Sequence, residues 1–296
     1  MMECTERPVS VQMSEGHANT IGRRLGLALA LDADPHVAGL TEAIVRAAEE
    51  ADGQVLIADT HDSIDAEQAA VQELRDHGID GLLLSPSAGD DAVINYVVRL
   101  RIPTVLVDRM ASRGDVDQVG VENVQATSTL VRHLAAGGHR RIGLISGADG
   151  LAVSDERVLG YRLGLGRAGL RYDPRLVGGA GASAGGAAQA TARLLNRDEP
   201  PTALVVAGEA MLIGAQFEAH RRGIAIGSEL ALVGYGDPEW ASTVDPPLTT
   251  MAPPITEVGR TAVEMLLART RDAQRPTRAL RLAPRLMHRT SCGCAG

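Results

Sequence analysis

Short apolar runs recur along almost the whole chain, at residues 25–31, 54–58, 81–84, 104–107, 116–121, 141–145, 203–206 and 230–233. Between them lie stretches with helical periodicity, at 37–51, 66–77, 124–136, 156–168, 184–195 and 210–222. Runs of Val, Ile and Leu without polar alternation fit strands buried on both faces, and their alternation with helices fits parallel sheets covered on both sides. The fold class that follows is α/β with parallel sheets, and the number of runs suits two sheets better than one. Gly137-Gly138, Gly169 and Gly223 each follow a helical pattern, where left-handed caps belong. Pro103 opens a strand, and Pro246-Pro247 and Pro253-Pro254 bracket a run at 248–251, the last pair marking a crossover between two lobes.

Composition narrows the chemistry. At 296 residues the chain can hold one large domain or two medium ones. No window approaches the roughly 18 apolar residues of a membrane span, and the polar start, with Glu3 and Glu6, lacks the plan of a secretory leader. A cytoplasmic protein without membrane contact is expected. The net charge of −8 argues against non-specific attraction to nucleic acid. Arginines cluster at Arg140-Arg141, at Arg221-Arg222 and from Arg269 to Arg289 without interleaved aromatics, so these clusters read as solvated faces. There is no lysine, which excludes a GxxxxGK[ST] phosphate loop, a Schiff-base lysine and a Ser–Lys dyad.

Cys4, Cys292 and Cys294 all lie near the chain ends, and Cys292-Gly-Cys294 has one intervening residue where zinc ligand pairs typically have two or more. Free terminal thiols are expected. The eight histidines show no HExxH pattern and no i, i+4 pairing, so no metal site and no cofactor is expected. His133 and His139 read as helix-end residues that serve the terminal carbonyls.

Two motifs compete with a purely structural account. Gly164, Gly166 and Gly169 match GxGxxG, but they close a helical pattern rather than follow a strand, so a helix C-terminus explains them better than a dinucleotide. Gly181-Ala-Ser183-Ala-Gly185 matches the GxSxG elbow, with Asp237 and His288 following in the order a hydrolase would use. The preceding strand is short and glycine-rich, whereas an elbow needs a rigid strand to hold its serine. A serine hydrolase using Ser183 is the alternative from a different class.

In open parallel sheets ligands bind outside the carboxyl ends of the strands. Residues 32–36, 59–62, 85–87, 108–109, 146–149, 208–209 and 235–237 fall there, and most are polar. His36, after Pro35, either meets a ligand or caps its loop. Arg157, early in a helix, either makes planar, bidentate bonds to a polyol or an anion or forms an ordinary salt bridge.

Read in order, RRLGLALALDADPH, IDGLLLSPS, IPTVLVDR, VGVENVQATSTLVRHLAAGGHRRIGLISG, ERVLGYRLGL, TALVVAGEAMLIGA, LALVGYGDPEWASTVDPPLTTMAPP and LMHRTSCG resemble the core of LacI/GalR transcriptional regulators from residue 23 to 293. The resemblance implies a periplasmic-binding-protein-like type I fold of two Rossmann-like lobes, after a flexible N-terminal segment at 1–22. The N-lobe is expected at 23–137 plus 255–282, and the C-lobe at 138–254 plus 283–296. It also implies a homodimer, no enzymatic activity, and a small-molecule effector, sugar-like or nucleobase-like, held between the lobes. Effector-site positions fall by resemblance on Asp34, His36, Val37, Gln125, Arg157, Ala182, Gly208, Glu209, Gly236 and Asp237. DNA would be bound only through a helix-turn-helix headpiece, which is expected to be absent from this chain. Secreted sugar-binding proteins share the fold and form a further alternative, but GGHRRIGLISG and RTSCG favour the regulator. Several family features are altered: an aromatic-rich loop reads Asp34-Pro35-His36-Val37, an Asn-Asp pair reads Gly208-Glu209, and the first of two aspartates is Gly236. Because sugars are commonly held by aromatic stacking and bidentate polar groups, a typical hexose is a poor expectation.

Overall fold

The computed structural model describes residues 12–13, 22–31, 35–148 and 150–294. The chain divides into two compact units, one built from residues 1–33, 37–120 and 255–281, the other from 34–36, 121–254 and 282–296.

The first unit carries a seven-stranded sheet in the order β1-β3-β2-β4-β5-β6-β12. Its strands are β1 (Gln12–Met13), β2 (Arg23–Leu29), β3 (Gly53–Asp59), β4 (Gly81–Leu84), β5 (Thr104–Asp108), β6 (Asp117–Val121) and β12 (Ala279–Leu282). The pairings from β3 through β6 are parallel, and β1 adds antiparallel to β3. Residue alternation explains the unbroken apolar runs. Ala28 of β2 packs into a cluster with Ala70, Val71 and Leu74, while Leu25, Leu27 and Leu29, pointing the opposite way, are equally buried. The helices are α1 (Pro35–Glu49), α2 (Ile64–Asp76), α3 (Ala92–Arg99) and α8 (Ile255–Arg271). One ion pair is sealed into this unit: Arg269 Nε donates to Asp117 Oδ2 at 2.9 Å, Arg278 N donates to Oδ1 at 2.7 Å, and Asp117 is 1% exposed.

The second unit has a six-stranded sheet in the order β13-β11-β10-β9-β7-β8. These are β7 (Ile142–Ser146), β8 (Val177–Gly179), β9 (Ala203–Val206), β10 (Ala231–Tyr235), β11 (Thr249–Ala252) and β13 (Arg285–Met287). All pairings are parallel except β11 with β13. The helices α4 (Asn123–Ala136), α5 (Ala152–Arg167), α6 (Ala184–Leu195) and α7 (Glu209–Arg221) pack as two pairs, α4 with α5 and α6 with α7.

The expected N-lobe limit at 137 differs from this division, because residues 121–136, with α4, group with the second unit. The cause lies in α5. A Cβ at Gly160 would stand 2.4 Å from the Val124 carbonyl oxygen, and one at Gly164 would stand 2.7 Å from the Val131 Cβ. Two glycines a turn apart let the helix backbones touch, and α4 also lies against β7, β9, β10 and β11. The GxGxxG match is thereby explained. Gly164 and Gly166 sit in the last turn of α5, and Gly169 follows it with φ +69°, so the motif ends a helix and does not open one.

Candidate functional site

Of the expected site residues that the structure describes, Val37 groups with the first unit and the others with the second. Asp34 lies outside the described residues. His36 is the second residue of α1 and is half-buried.

The centre of the arrangement is Arg157, on the second turn of α5. Its Nε donates to Asn123 Oδ1 at 3.1 Å, its Nη1 donates to the Ala207 carbonyl at 2.6 Å, and its guanidinium carbon stands 3.8 Å from the centroid of the Tyr235 ring. Asn123, 2% exposed at the start of α4, is itself fixed, since its Nδ2 donates to Glu156 Oε2 at 2.8 Å and to the Val121 carbonyl at 3.2 Å. The guanidinium is therefore clamped by two neutral acceptors and an aromatic face. Among the described residues it forms no ion pair, and Nη2 has no hydrogen-bond acceptor. Of the two roles the sequence leaves open for Arg157, a salt bridge is not formed with any acidic residue among the described residues.

Residues at the carboxyl ends of β9 and β10 complete the surface. Glu209, 6% exposed, is the first residue of α7, where the helix dipole favours a carboxylate. Gly208 precedes it as the cap in extended backbone. Gly236 has φ +97°, and a Cβ there would lie 2.0 Å from Glu209 Cγ, so glycine is required both by the backbone and by the seated glutamate.

Asp237 takes a different part from the expected anchor. Its Oδ1 accepts from Arg289 Nη1 at 2.7 Å and from Thr250 Oγ1 at 2.6 Å, and its Oδ2 accepts from Arg289 Nη2 at 3.1 Å. Partial burial works to raise its pKa, but the bonds from Arg289 and Thr250 and the charges of Arg289 and Arg285 outweigh it, and the carboxyl is held below the usual range. Asp237 is an internal partner of Arg289 first.

Gln125 is not brought to Arg157. Two residues past Asn123 it points elsewhere around α4, is exposed, and accepts from Arg167 Nη1 at 2.8 Å. The polar side chain that sequence reasoning missed is Asn123, two positions earlier in VENVQ, while Tyr235, within the expected strand-end stretch 235–237, supplies the ring under Arg157. Position at a helix start and at a strand end were the available signals. Ser183, the elbow candidate, is the N-cap of α6, and its Oγ accepts from Gly186 N at 3.1 Å. Its oxygen serves the start of a helix.

The corresponding strand ends of the first unit are closed by their own charges. Arg109 Nη1 donates to Asp62 Oδ1 and, at 3.1 Å, to the Pro86 carbonyl. Glu67, 3% exposed, accepts from Ser87 N. Burial pushes its carboxyl above the ordinary value, against the lowering effects of the Ser87 bonds and the Arg109 charge.

Cys292 and Cys294 are free thiols, as expected, and they lie with His133 and His288, their ligand atoms all within 4.8 Å of one another. Cys4 lies outside the described residues.

Comparison with known proteins agrees with this architecture. The family described as "Periplasmic binding protein-like domain" matches residues 131–292. The transcriptional repressor CytR of Escherichia coli K12 is 31% identical over 214 residues, covering 72% of this chain and 62% of the repressor. The chain thus spans about three fifths of the length of that curated relative. The ribose operon repressor of Haemophilus influenzae is 26% identical over 270 residues, covering 91% of this chain and 81% of the repressor. Among solved structures, a LacI-family regulator of Sanguibacter keddieii superposes with TM-score 0.81 at 30% identity, covering 92% of this chain and 98% of the other. A ribose operon repressor of Burkholderia thailandensis gives 0.80 at 28% identity, over 89% and 98%.

Proposed function

The chain belongs to the periplasmic binding protein-like domain family, and from that premise we propose that it is the ligand-sensing core of a LacI-type transcriptional regulator and not an enzyme. The relatives named above are transcriptional repressors or regulators, and neither a Ser183 hydrolase nor a secreted sugar-binding protein has comparable support. The ligand is a small polar molecule, sugar-like or nucleobase-like, bound on the strand-end surface of the second unit. It acts by favouring one conformation of the chain.

The observation that carries this reading is Arg157. An arginine fixed by neutral acceptors over an aromatic ring keeps its charge and its outer N–H donors for a carboxylate, a carbonyl or paired hydroxyls. Glu209 and His36 supply selectivity, and Asp237 contributes the part of its carboxylate that Arg289 leaves open. Arg289 and Thr250 set that carboxylate's direction.

The working unit is a cytoplasmic homodimer. No helix of the described residues is long and apolar enough to cross a membrane. On α7, Ile213 and Phe217 stand one turn apart and are 47% and 61% exposed, and Phe217 is the sole phenylalanine of the sequence. An exposed apolar pair of this kind suits a subunit face. DNA contact belongs to a headpiece outside these two units.

A thermal-shift screen with pentoses, hexoses, polyols, nucleosides and nucleobases tests the reading. A true ligand at about 100 times its Kd adds roughly 2.7 kcal/mol to stability, a rise in Tm of several degrees. Lack of a shift from every compound class would refute ligand sensing.

A further inference from the structure

We propose that His133, His288, Cys292 and Cys294 form a structural zinc site that ties the C-terminal segment to the end of α4. His133 lies in the last turn of α4, and the other three follow β13. Cys292 Sγ is 3.4 Å from His288 Nε2, and Cys294 Sγ is 3.6 Å from His133 Nε2. All four ligand atoms lie within 4.8 Å of one another. A tetrahedral zinc ion with Zn–S of about 2.3 Å and Zn–N of about 2.05 Å sets its sulfur and nitrogen ligands about 3.6 Å apart. The two sulfur–nitrogen separations already have that value.

The Cys-Gly-Cys spacing, too short for the usual zinc pair, works here because of Gly293. Its φ of +72° turns the chain back on itself, and a Cβ at that position would lie 2.4 Å from the Gly227 carbonyl oxygen. Both thiols consequently face the same point. The segment is also fixed before any ion arrives. Ser291, fully buried, accepts from Thr249 N through Oγ at 2.8 Å and from Leu232 N through its carbonyl at 2.8 Å. Cys292 next to it is 1% exposed.

The donor set gives the metal and the role. Two thiolates and two imidazoles in a tetrahedron select zinc, and four protein ligands leave no open position for water, which makes the site structural. Binding converts the two thiols to thiolates and releases their protons to solvent. The regulator's ligand surface at Arg157 is not involved, so this inference stands or falls independently of the proposed function.

The test is the zinc content of the full chain, purified from zinc-supplemented cells under reducing conditions and desalted into metal-free buffer. The expected result is about one zinc per chain, with cobalt replacing it to give the visible bands of a tetrahedral thiolate complex. The double variant C292S/C294S loses both signals. The variant His288→Gln, at an exposed position, binds zinc at least about tenfold more weakly. Chelation lowers the Tm of the wild type and leaves that of the double variant unchanged. Zinc below about one atom per ten chains in the reduced wild type, zinc retained by the double variant, or a Cys292–Cys294 disulfide in the freshly isolated protein overturns the proposal.

Discussion

Arg109 of the first unit and Arg157 of the second both stand at the carboxyl ends of parallel strands, and they are held in opposite ways. Arg109 meets the carboxylate of Asp62, so its charge is spent inside the protein. Arg157 meets an amide oxygen, a carbonyl and a ring, each of which orients it without neutralising it. The second unit does contain a neutralised arginine, Arg289 on Asp237, so charge pairing occurs in this unit, whereas among the described residues none is formed by Arg157. That difference is what supports the proposal that Arg157 anchors the ligand while Arg109 serves the fold.

The most buried ionic contact of the first unit gives the largest expected effect. Asp117→Ala leaves Arg269 uncompensated in the interior and should cost about 3–5 kcal/mol, read as a fall in the urea midpoint. Next is Gly236→Ala. It forces a Cβ into Glu209 at a left-handed backbone position and should cost about 1–3 kcal/mol, with ligand affinity lost as Glu209 is displaced. A smaller loss, about 1 kcal/mol, is expected for Arg109→Ala, because its pair with Asp62 is half in solvent. If Arg109→Ala instead abolished ligand binding, the contrast between the two arginines would collapse.

The carboxylates sharpen the contrast through pH. Glu218, bonded to Arg221 and Arg222, is held down to about 2, against 4.5 in an unfolded chain. The bond from Arg221 is the largest cause. Its contribution is fully present above pH 4.5 and is lost as pH falls toward about 2. Glu67 has the opposite sign. Burial raises its pKa above 4.5, so it favours the fold below that pH, and the effect fades as pH rises through its folded value. In urea titrations, the deficit of Glu218→Gln relative to wild type should shrink on acidification, while Glu67→Gln should gain on wild type toward neutral pH. Parallel pH profiles for the two variants would contradict these assignments.

The sequence made the layered part of the molecule legible. Apolar blocks such as GLLL and ALVV could be buried only from both sides, and they became central parallel strands. Edge elements were harder. β12 alternates between exposed and half-buried residues, and β8 is three residues of Val and Gly, so neither shows a hydrophobic run. The placement of α4 depended on two glycines in a different helix, a relation that periodicity within α4 does not contain. At the site, Arg157 was identifiable from its place early in a helix. Its partners were not, since Asn123 and Tyr235 become neighbours of Arg157 only through sheet and helix packing. Gln125 and Asn123 differ by two residues in sequence, yet that step turns a side chain to another face of the helix. The His–Cys cluster was hidden for the same reason: His133 and Cys294 are 161 residues apart, and only Gly293 makes the short cysteine spacing workable.

The central claim is that Arg157 is reserved for a ligand. Isothermal titration of the wild type and of Arg157→Ala, side by side, with the compound that gives the largest thermal shift tests it most directly. Loss of charge-assisted bonds worth about 1.5–3 kcal/mol predicts a Kd weakened by roughly ten- to a hundredfold, beside a fall in the ligand-free Tm from the lost bonds to Asn123 and Ala207. An unaltered Kd in the variant would contradict the account.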